Sequence, residues 1–194
     1  MDLWWIFPVS IVFSTIAISS GVSGALFFSP FFMLVVGLSP AQAVGAGLLT
    51  EVFGMGNGLR LYVQQKVVDY AWARWLLAGA VPSVIVGALT GMISAGLPEI
   101  STTQLIIRCK VAPRVAVATA VFTLAITALA GATVHALSAT PAWHVVQWSI
   151  PGVLVGSFLG SRVGKHLPAA LMEKGLAVVF AGVGLLVISL QLVS

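Results

Sequence analysis

Residues 21–28 read GVSGALFF. Two glycines flank a serine inside an otherwise apolar chain. As backbone geometry this is a helix break, because glycine adopts left-handed conformations freely and is a weak helix former. As chemistry, a serine between glycines ahead of an apolar run can present a nucleophile. The choice decides the fold. A break at membrane depth is tolerated only where the backbone faces protein or a wet cavity.

The surroundings are those of a membrane. The chain has 194 residues, 59% hydrophobic and 7% charged, with a mean hydropathy of +1.10. Soluble proteins carry about 25% charged residues. Apolar runs of about 20 residues recur along the whole length, the mark of transmembrane helices. A β-barrel would show alternation in segments of about ten residues instead. The chain therefore reads as an all-α polytopic membrane protein, one transmembrane domain over 1–194. The net charge of +4 does not point to nucleic acid. Its Lys and Arg residues lie in short loops, where they set orientation. The single Cys109 excludes an internal disulfide. Asp2 stands where a signal peptide needs a basic residue, so the N-terminal segment is expected to be kept as a span. Trp4 and Trp5 suit an interfacial belt. No cofactor and no metal are expected.

The apolar segments run 3–20, 25–37, 40–62, 72–94, 99–108, 113–137, 143–163 and 171–193. They make about six full spans plus two short pieces, 25–37 and 99–108. Pro40, Pro98, Pro113, Pro141 and Pro168 mark starts, where the missing proline N–H is no loss. Basic residues form three groups: Arg60, Lys66 and Arg74; Arg108, Lys110 and Arg114; Arg162, Lys165 and Lys174. The positive-inside rule puts these in the cytoplasm. If each short piece completes a traverse or a re-entrant pass, both termini lie outside.

An internal repeat follows. PAQAVGAGLL at 40–49 matches PRVAVATAVF at 113–122, an offset of 73. At that offset Gly58 meets Gly131, and the 21–24 break meets the region of SAGL at 94–97. VPSVIVGALTG at 81–91 resembles IPGVLVGSFLG at 150–160 with an offset of 69, which predicts a loop four residues shorter. Repeat one spans about 21–91 and repeat two about 94–160, with a C-terminal helix at 171–193. The loop before the Pro helix is neutral in repeat one and basic in repeat two. The units therefore read as inverted, with broken or re-entrant half-helices at corresponding places. That pattern belongs to secondary transporters, which bind substrate near the midplane.

The breaks are Ser20–Gly24 and Gly96–Gln104. Freed N–H groups at a half-helix start carry partial positive charge and favour anions. Gly21, Ser23 and Gly24 line the first break, with Ser29-Pro30 as the expected cap and first turn of the following half-helix. Ser101, Thr102, Thr103 and Gln104 offer hydroxyl and amide groups at the second. The competing reading is that small residues only let helices pack closely. Glu51 and Glu99 are the acidic residues furthest from the basic loops. An intramembrane carboxyl is costly and functional by default. For Glu51, with Asn57 six residues on, a proton relay and a structural hydrogen-bonding role stand level. Glu99 begins a helical piece and reads first as a cap. His135, near a span end, reads as interfacial. Gly152, Gly156, Gly160 and Gly164, with Gly87 and Gly91 as a shorter counterpart, indicate close helix packing within one chain or between subunits.

The protease alternative resembles the rhomboid type, with Ser23 as nucleophile. It needs a histidine on a later span and donors for an oxyanion. His135, His144 and His166 all lie at span ends or loops. The H-x-x-x-N pattern expected two spans before the serine has no room, since one helix precedes Ser23.

GVSGALFFSPFFMLVVGLSPAQAVGAGLL resembles the first repeat of the sulfite exporter TauE/SafE family, also called toluene sulfonate uptake permeases. GLPEISTTQLIIRCKVAPRVAVATAVFTLAITALAGATVHAL is similar to its second repeat. The likeness covers about residues 10–190. It implies a multi-pass permease of the bacterial inner membrane, without enzyme activity, for small sulfur-containing anions such as sulfite, sulfonates or sulfoacetate. Movement would be coupled to an ion or proton. The two breaks and the helix starts after Pro40 and Pro113 would line the path, which adds Thr119 to the site. The chain is shorter than typical members and lacks a helix pair between the repeats. A dimeric channel or facilitator, in which a second copy supplies the missing wall, is the alternative. The Thr-Ser common after Ala-Val-Gly is Ala46-Gly47 here.

Overall fold

Glycine, serine and proline punctuate the apolar chain, and helices form between them. The structure, a computed structural model, describes residues 3–90, 97–138, 142–164 and 181–182, with the backbone alone at 81–90, 97–101 and 137–138. Among these residues are seven helices and no strand: α1 (Ile6–Ser20), α2 (Ala25–Leu34), α3 (Pro40–Gln64), α4 (Tyr70–Thr90), α5 (Leu97–Ile107), α6 (Pro113–Ser138) and α7 (Trp143–Val163). The junction at 91–96 and nearly all of the segment expected to be helical at 171–193 lie outside the described residues.

Local chemistry explains the boundaries. Ser39 is extended, as the residue before a proline should be, and its hydroxyl accepts from Gln42 N–H while Pro40 opens α3. α1 ends on Gly21, whose φ of +75° suits glycine. The N–H groups of Gly21 and Val22 both bond the Ala17 carbonyl, at 2.8 and 3.1 Å. The next helix starts four residues later, so residues 21–24 are a true interruption. α2 has 10 residues and α5 has 11. At 1.5 Å per residue each is roughly 15 Å long, about half of a hydrocarbon core. Both short pieces of the sequence are thus helices of about half a span's length.

Pro113–Ala136 is the one described helix long and apolar enough to cross a membrane, while Ile6–Ser20 and Ala25–Leu34 are apolar but shorter. α3 has the length, at 25 residues, but mixes Gln42, Glu51, Asn57 and Arg60 into its apolar run. The expected count of about six full spans is therefore met by one clear span among the described residues.

The order short, long, medium occurs twice: 10, 25 and 21 residues, then 11, 26 and 21. α3 and α6 start 73 residues apart, as do α4 and α7. One expectation changes here. The offset of 69 between the glycine-rich segments is not a loop shortened by four residues. Both α4–α7 boundaries keep the spacing of 73, so the motif has moved by about one helical turn within the helix. Neighbours repeat as well: α2 packs on α3 as α5 packs on α6, α3 on α7 as α4 on α6, and α3 meets α6. Exchanging α2 with α5, α3 with α6 and α4 with α7 maps this set onto itself.

The tightest pairing is α1 with α7, and it is intramolecular. A Cβ on Gly152 would stand 2.6 Å from Phe7 O, one on Gly156 2.5 Å from Ile11 O, and one on Gly160 2.7 Å from Thr15 O. The four-residue glycine stripe thus lets two backbones touch within one chain. On α2, Phe27, Phe28 and Phe31 surround Phe13 of α1 with ring centroids 5.4–5.6 Å away, which ties the half-helix to α1.

Candidate functional site

The site grows from the end of α1. Breaking a helix frees carbonyls at one end and N–H groups at the next start. The freed Ile18 carbonyl accepts from Tyr62 OH at 2.8 Å, near the C-terminus of α3. Ser19 and Ser20 turn their hydroxyls back onto Ile16 O, at 3.0 and 2.6 Å. On the other side of the gap, Gly24 is the residue before α2, and its N–H needs an acceptor. Glu51 supplies it. One carboxyl oxygen, Oε1, accepts from Gly24 N–H at 2.7 Å and from Ser23 Oγ at 2.7 Å. Glu51 is 3% exposed. An acidic group at the N-terminus of a helix is favoured by the peptide dipoles as well as by the hydrogen bonds.

A small cavity adjoins the carboxyl, lined by Ser14, Ala17, Gly24, Phe28, Thr50, Glu51, Gly54, Met55 and Val153. It offers about 10 Å³, which is near the lower limit for one water molecule. Ser14 Oγ donates to Val153 O at 3.0 Å, which joins α1 to α7 across the cavity wall. Thr50 and Ser149 hydroxyls meet at 2.7 Å, both fully buried. Ser149 donates its own hydrogen to Val146 O at 3.0 Å, so Thr50 is the donor of the pair. Gly54 lets α7 approach: a Cβ there would be 3.2 Å from Val153 Cβ.

The two interrupted regions approach each other. A Cβ on Gly21 would lie 3.5 Å from Thr102 Oγ1 of α5 and 3.3 Å from Val117 Cγ1 of α6. Thr102 is 2% exposed, whereas Thr103 and Gln104 point outward. Successive helical residues differ by about 100°, so a contiguous polar run cannot all face one site. The side chains of Glu99 and Ser101 lie outside the described residues, as does the 91–96 half of the second break.

Other sequence candidates fall elsewhere. Ser29 does not cap α2: the helix begins at Ala25 and carries Pro30 in its interior. Glu51 provides the acceptor that the start needs, so the helix begins one turn ahead of Ser29-Pro30. Among the described residues, buried Ser29 Oγ has no hydrogen-bond partner, and it lies against the place where Gly47 lacks a side chain. Asn57 lies on the α3–α7 interface, donating to Ser157 Oγ at 2.7 Å and to Leu154 O at 3.3 Å. Six residues turn a helix by about 600°, which takes it off the Glu51 face. Thr119 accepts from Asp69 N–H at 3.1 Å and donates to Val115 O at 2.7 Å, fixing the turn into α4. The hydroxyl of Ser23 donates to the Glu51 carboxyl group. His135 lies in the last turn of α6 and His144 in the first turn of α7, as their positions in the sequence predict.

Ser14, Thr50, Gly54 and Tyr62 were not among the expected site residues. A signal for Ser14 exists in the chain. Ser10 and Ser14 repeat at four-residue spacing, as does the glycine stripe they pack against.

No curated protein and no solved structure matches the chain. The family model described as sulfite exporter TauE/SafE matches residues 6–95 and 83–187. Those two matches take in the first interruption, the Glu51 helix, α5 and both long helices. The chain therefore belongs to the sulfite exporter TauE/SafE family, a family of integral membrane transporters.

Proposed function

We propose that the chain carries small sulfur oxyanions or organosulfonates across the bacterial inner membrane, with the start of α2 as its substrate site. The observation that supports this most is the convergence of two buried donors, Ser23 Oγ and Gly24 N–H, on a single oxygen. Donors aimed at one point, at the positive end of a half-helix, suit a small oxyanion without any fixed cation. The approach of Gly21, in the same break, to Thr102 of α5 supports reading the second half-helix as part of the path. Thr102 is then the α5 contribution to the path.

The two units are read as inverted. The neutral-then-basic and basic-then-neutral loops argue for opposite orientation under the positive-inside rule. A set of helix neighbours that survives exchange of the units agrees with a two-fold relation. With the basic groups inside, Arg114 sits at the cytoplasmic end of α6, where it donates to Gln65 Oε1 at 2.9 Å. Alternating access would then rock one unit against the other around the site.

Ligand-dependent thermal stabilisation of the purified chain tests this. Binding to the native state alone adds about 2.7 kcal/mol at a ligand concentration of 100 Kd. Sulfite, thiosulfate, sulfoacetate or taurine is expected to raise the melting point, with sulfate and simple carboxylates doing less. If no sulfur anion stabilises the protein more than carboxylates of similar size, the substrate class is wrong. Ser23→Ala is expected to weaken that binding while leaving the fold intact.

A further inference from the structure

We propose that the two units rock with their third helices exchanged: α1, α2, α3 and α7 move as one body, α4, α5 and α6 as the other, and the face that slides between them is α3 against α6. The proposal rests on the transport reading given above and deepens it by naming what moves.

Packing carries the assignment. Helices move as one body when they hold one another more firmly than they hold the rest. In each unit the half-helix lies on the long helix, α2 on α3 and α5 on α6. The third helices do otherwise. Among the described residues, α4 packs on α6 of the other unit, and α7 packs on α3 of the other unit and on α1. Parting the units along the sequence would tear α4 from α6 and α7 from α3. Exchanging the third helices keeps both pairings and leaves one long face between the bodies, α3 on α6, with a slighter contact of α1 on α6.

The chemistry of the faces agrees. Directed bonds pin α7 to α1 and α3. Ser14 Oγ donates to Val153 O at 3.0 Å, Thr15 Oγ1 to Gly156 O at 3.2 Å and Asn57 Nδ2 to Ser157 Oγ at 2.7 Å, while the Thr50 and Ser149 hydroxyls meet at 2.7 Å. The glycine stripe adds backbone contact with α1. In the second body, Asp69 N–H donates to Thr119 Oγ1 at 3.1 Å, and the Tyr70 and Phe122 rings pack edge to face at 5.8 Å. These contacts seat the start of α4 on α6. The face between the bodies is different. Met55 and Tyr62 of α3 cluster there with Val117, Val121 and Leu124 of α6. Apolar contacts have no fixed direction, so such a face slides where a hydrogen-bonded one resists. At its basic end Arg114 of α6 donates to Gln65 at 2.9 Å, a bond that must break for that end to open.

The candidate site straddles the same face. Ser23, Gly24 and Glu51 belong to the first body, whereas Thr102, which Gly21 approaches, belongs to the second. The chain passes from one body to the other at residues 65–69 and returns between Ser138 and Trp143, so the second body is the continuous stretch 70–138. Sliding α6 past α3 therefore moves Thr102 relative to the head of α2 while each body keeps its own contacts.

Cross-links test this on the full chain with Cys109→Ser, reconstituted in liposomes. The readout is uptake of radiolabelled sulfite, thiosulfate, sulfoacetate and taurine. Three cysteine pairs are made: Asn57→Cys with Ser157→Cys inside the first body, Tyr70→Cys with Phe122→Cys inside the second, and Gln65→Cys with Arg114→Cys across the face. Each is bridged in detergent by a short bismaleimide, whose thioethers survive sulfite, and the yield is read by mass spectrometry. The unbridged variant and the treated single-cysteine variants are the controls. The first two pairs join helices of different units, so units that move as sequence blocks would be stopped by either bridge. With exchanged helices, both bridged proteins keep the uptake of their unbridged forms, and bridging Gln65→Cys to Arg114→Cys abolishes it. Loss of uptake on bridging either of the first two pairs overturns the exchange and leaves the transport reading standing. Full uptake with the third bridge in place overturns it as well. The first two pairs are independent, so if one variant fails to fold the other decides. If the Cys109→Ser chain carries none of the four anions, the transport reading falls, and the exchange with it.

Discussion

Replacing Gly156 by alanine should destabilise the protein, although alanine is the better helix former. Two terms compete. Moving from glycine to alanine inside a helix gains up to about 1 kcal/mol. Against it stands the α1–α7 contact. The new Cβ would lie 2.5 Å from Ile11 O, 2.7 Å from Ser14 Cβ and 3.1 Å from Ile11 Cα. Two of these three are backbone atoms, so no side-chain rotation relieves them. The helices must separate by nearly 1 Å, and overpacking of that kind costs about 1–3 kcal/mol. Taking the upper end, the net loss is about 2 kcal/mol. For a chain of this size that corresponds to a melting point about 4–8 °C lower. Gly56→Ala is the matched control, because nothing lies within 4 Å of a Cβ at that exposed position on α3. There the propensity term acts alone, and stability should be unchanged or rise by up to about 1 kcal/mol. Thermal unfolding of both variants in one detergent, followed by intrinsic tryptophan fluorescence, measures the difference. Because Ser14 also lines the cavity at Glu51, Gly156→Ala should weaken sulfonate binding, whereas Gly56→Ala should not. Equal melting points for the two variants would refute the account of the glycine stripe.

Three further outcomes are expected. Tyr62→Phe removes the donor to the freed Ile18 carbonyl and should cost about 1–2 kcal/mol in thermal unfolding, with faster amide exchange at residues 18–22. Thr50→Val, nearly equal in shape, deletes the donor to the buried Ser149 hydroxyl and should cost about 1 kcal/mol in thermal unfolding. Gly21→Ala places a Cβ on a residue with φ +75° and against Val117, and should cost about 1–2 kcal/mol; a melting point equal to that of the parent would mean that the break has other conformations open to it.

The helices were readable because their punctuation is local. Gly21, Pro40 and Pro113 each act through their own backbone, and the expected boundaries at 20, 25, 40, 113, 143 and 163 coincide with those of the helices. The site was readable only in half. That Ser23 and Gly24 needed an acceptor followed from the break itself. That the acceptor is Glu51, 27 residues beyond Gly24, depends on how α3 passes behind α2, and no spacing rule encodes it. Ser29 illustrates the same limit. A serine before a proline is a good cap in isolation, but a carboxylate arriving from another helix moved the start of α2 ahead of it. The polar run 101–104 looked like a site because its residues are adjacent in sequence, yet the helix turns Thr102 inward and Thr103 and Gln104 outward.

The two units are alike in helix order, but not in charge, and that inequality has a consequence for transport. At the spacing of 73 that relates α3 to α6, the counterpart of Glu51 is Leu124, which is 2% exposed and packs with Met55, Tyr62, Val117 and Val121. Thr50 keeps a hydroxyl counterpart in Thr123, which donates to Thr119 O at 3.1 Å. The α6 face is therefore apolar where the α3 face carries a carboxyl. A strictly symmetric carrier could hold one anion at each half-helix. Here the α5 side presents Thr102 toward Gly21 and, at the Glu51-equivalent position, only a leucine. Placing a second carboxyl at 124 should cost stability, since a buried charge without donors is expensive. A Leu124→Glu variant as stable as the parent in thermal unfolding would show that α6 offers donors equivalent to those at Ser23 and Gly24.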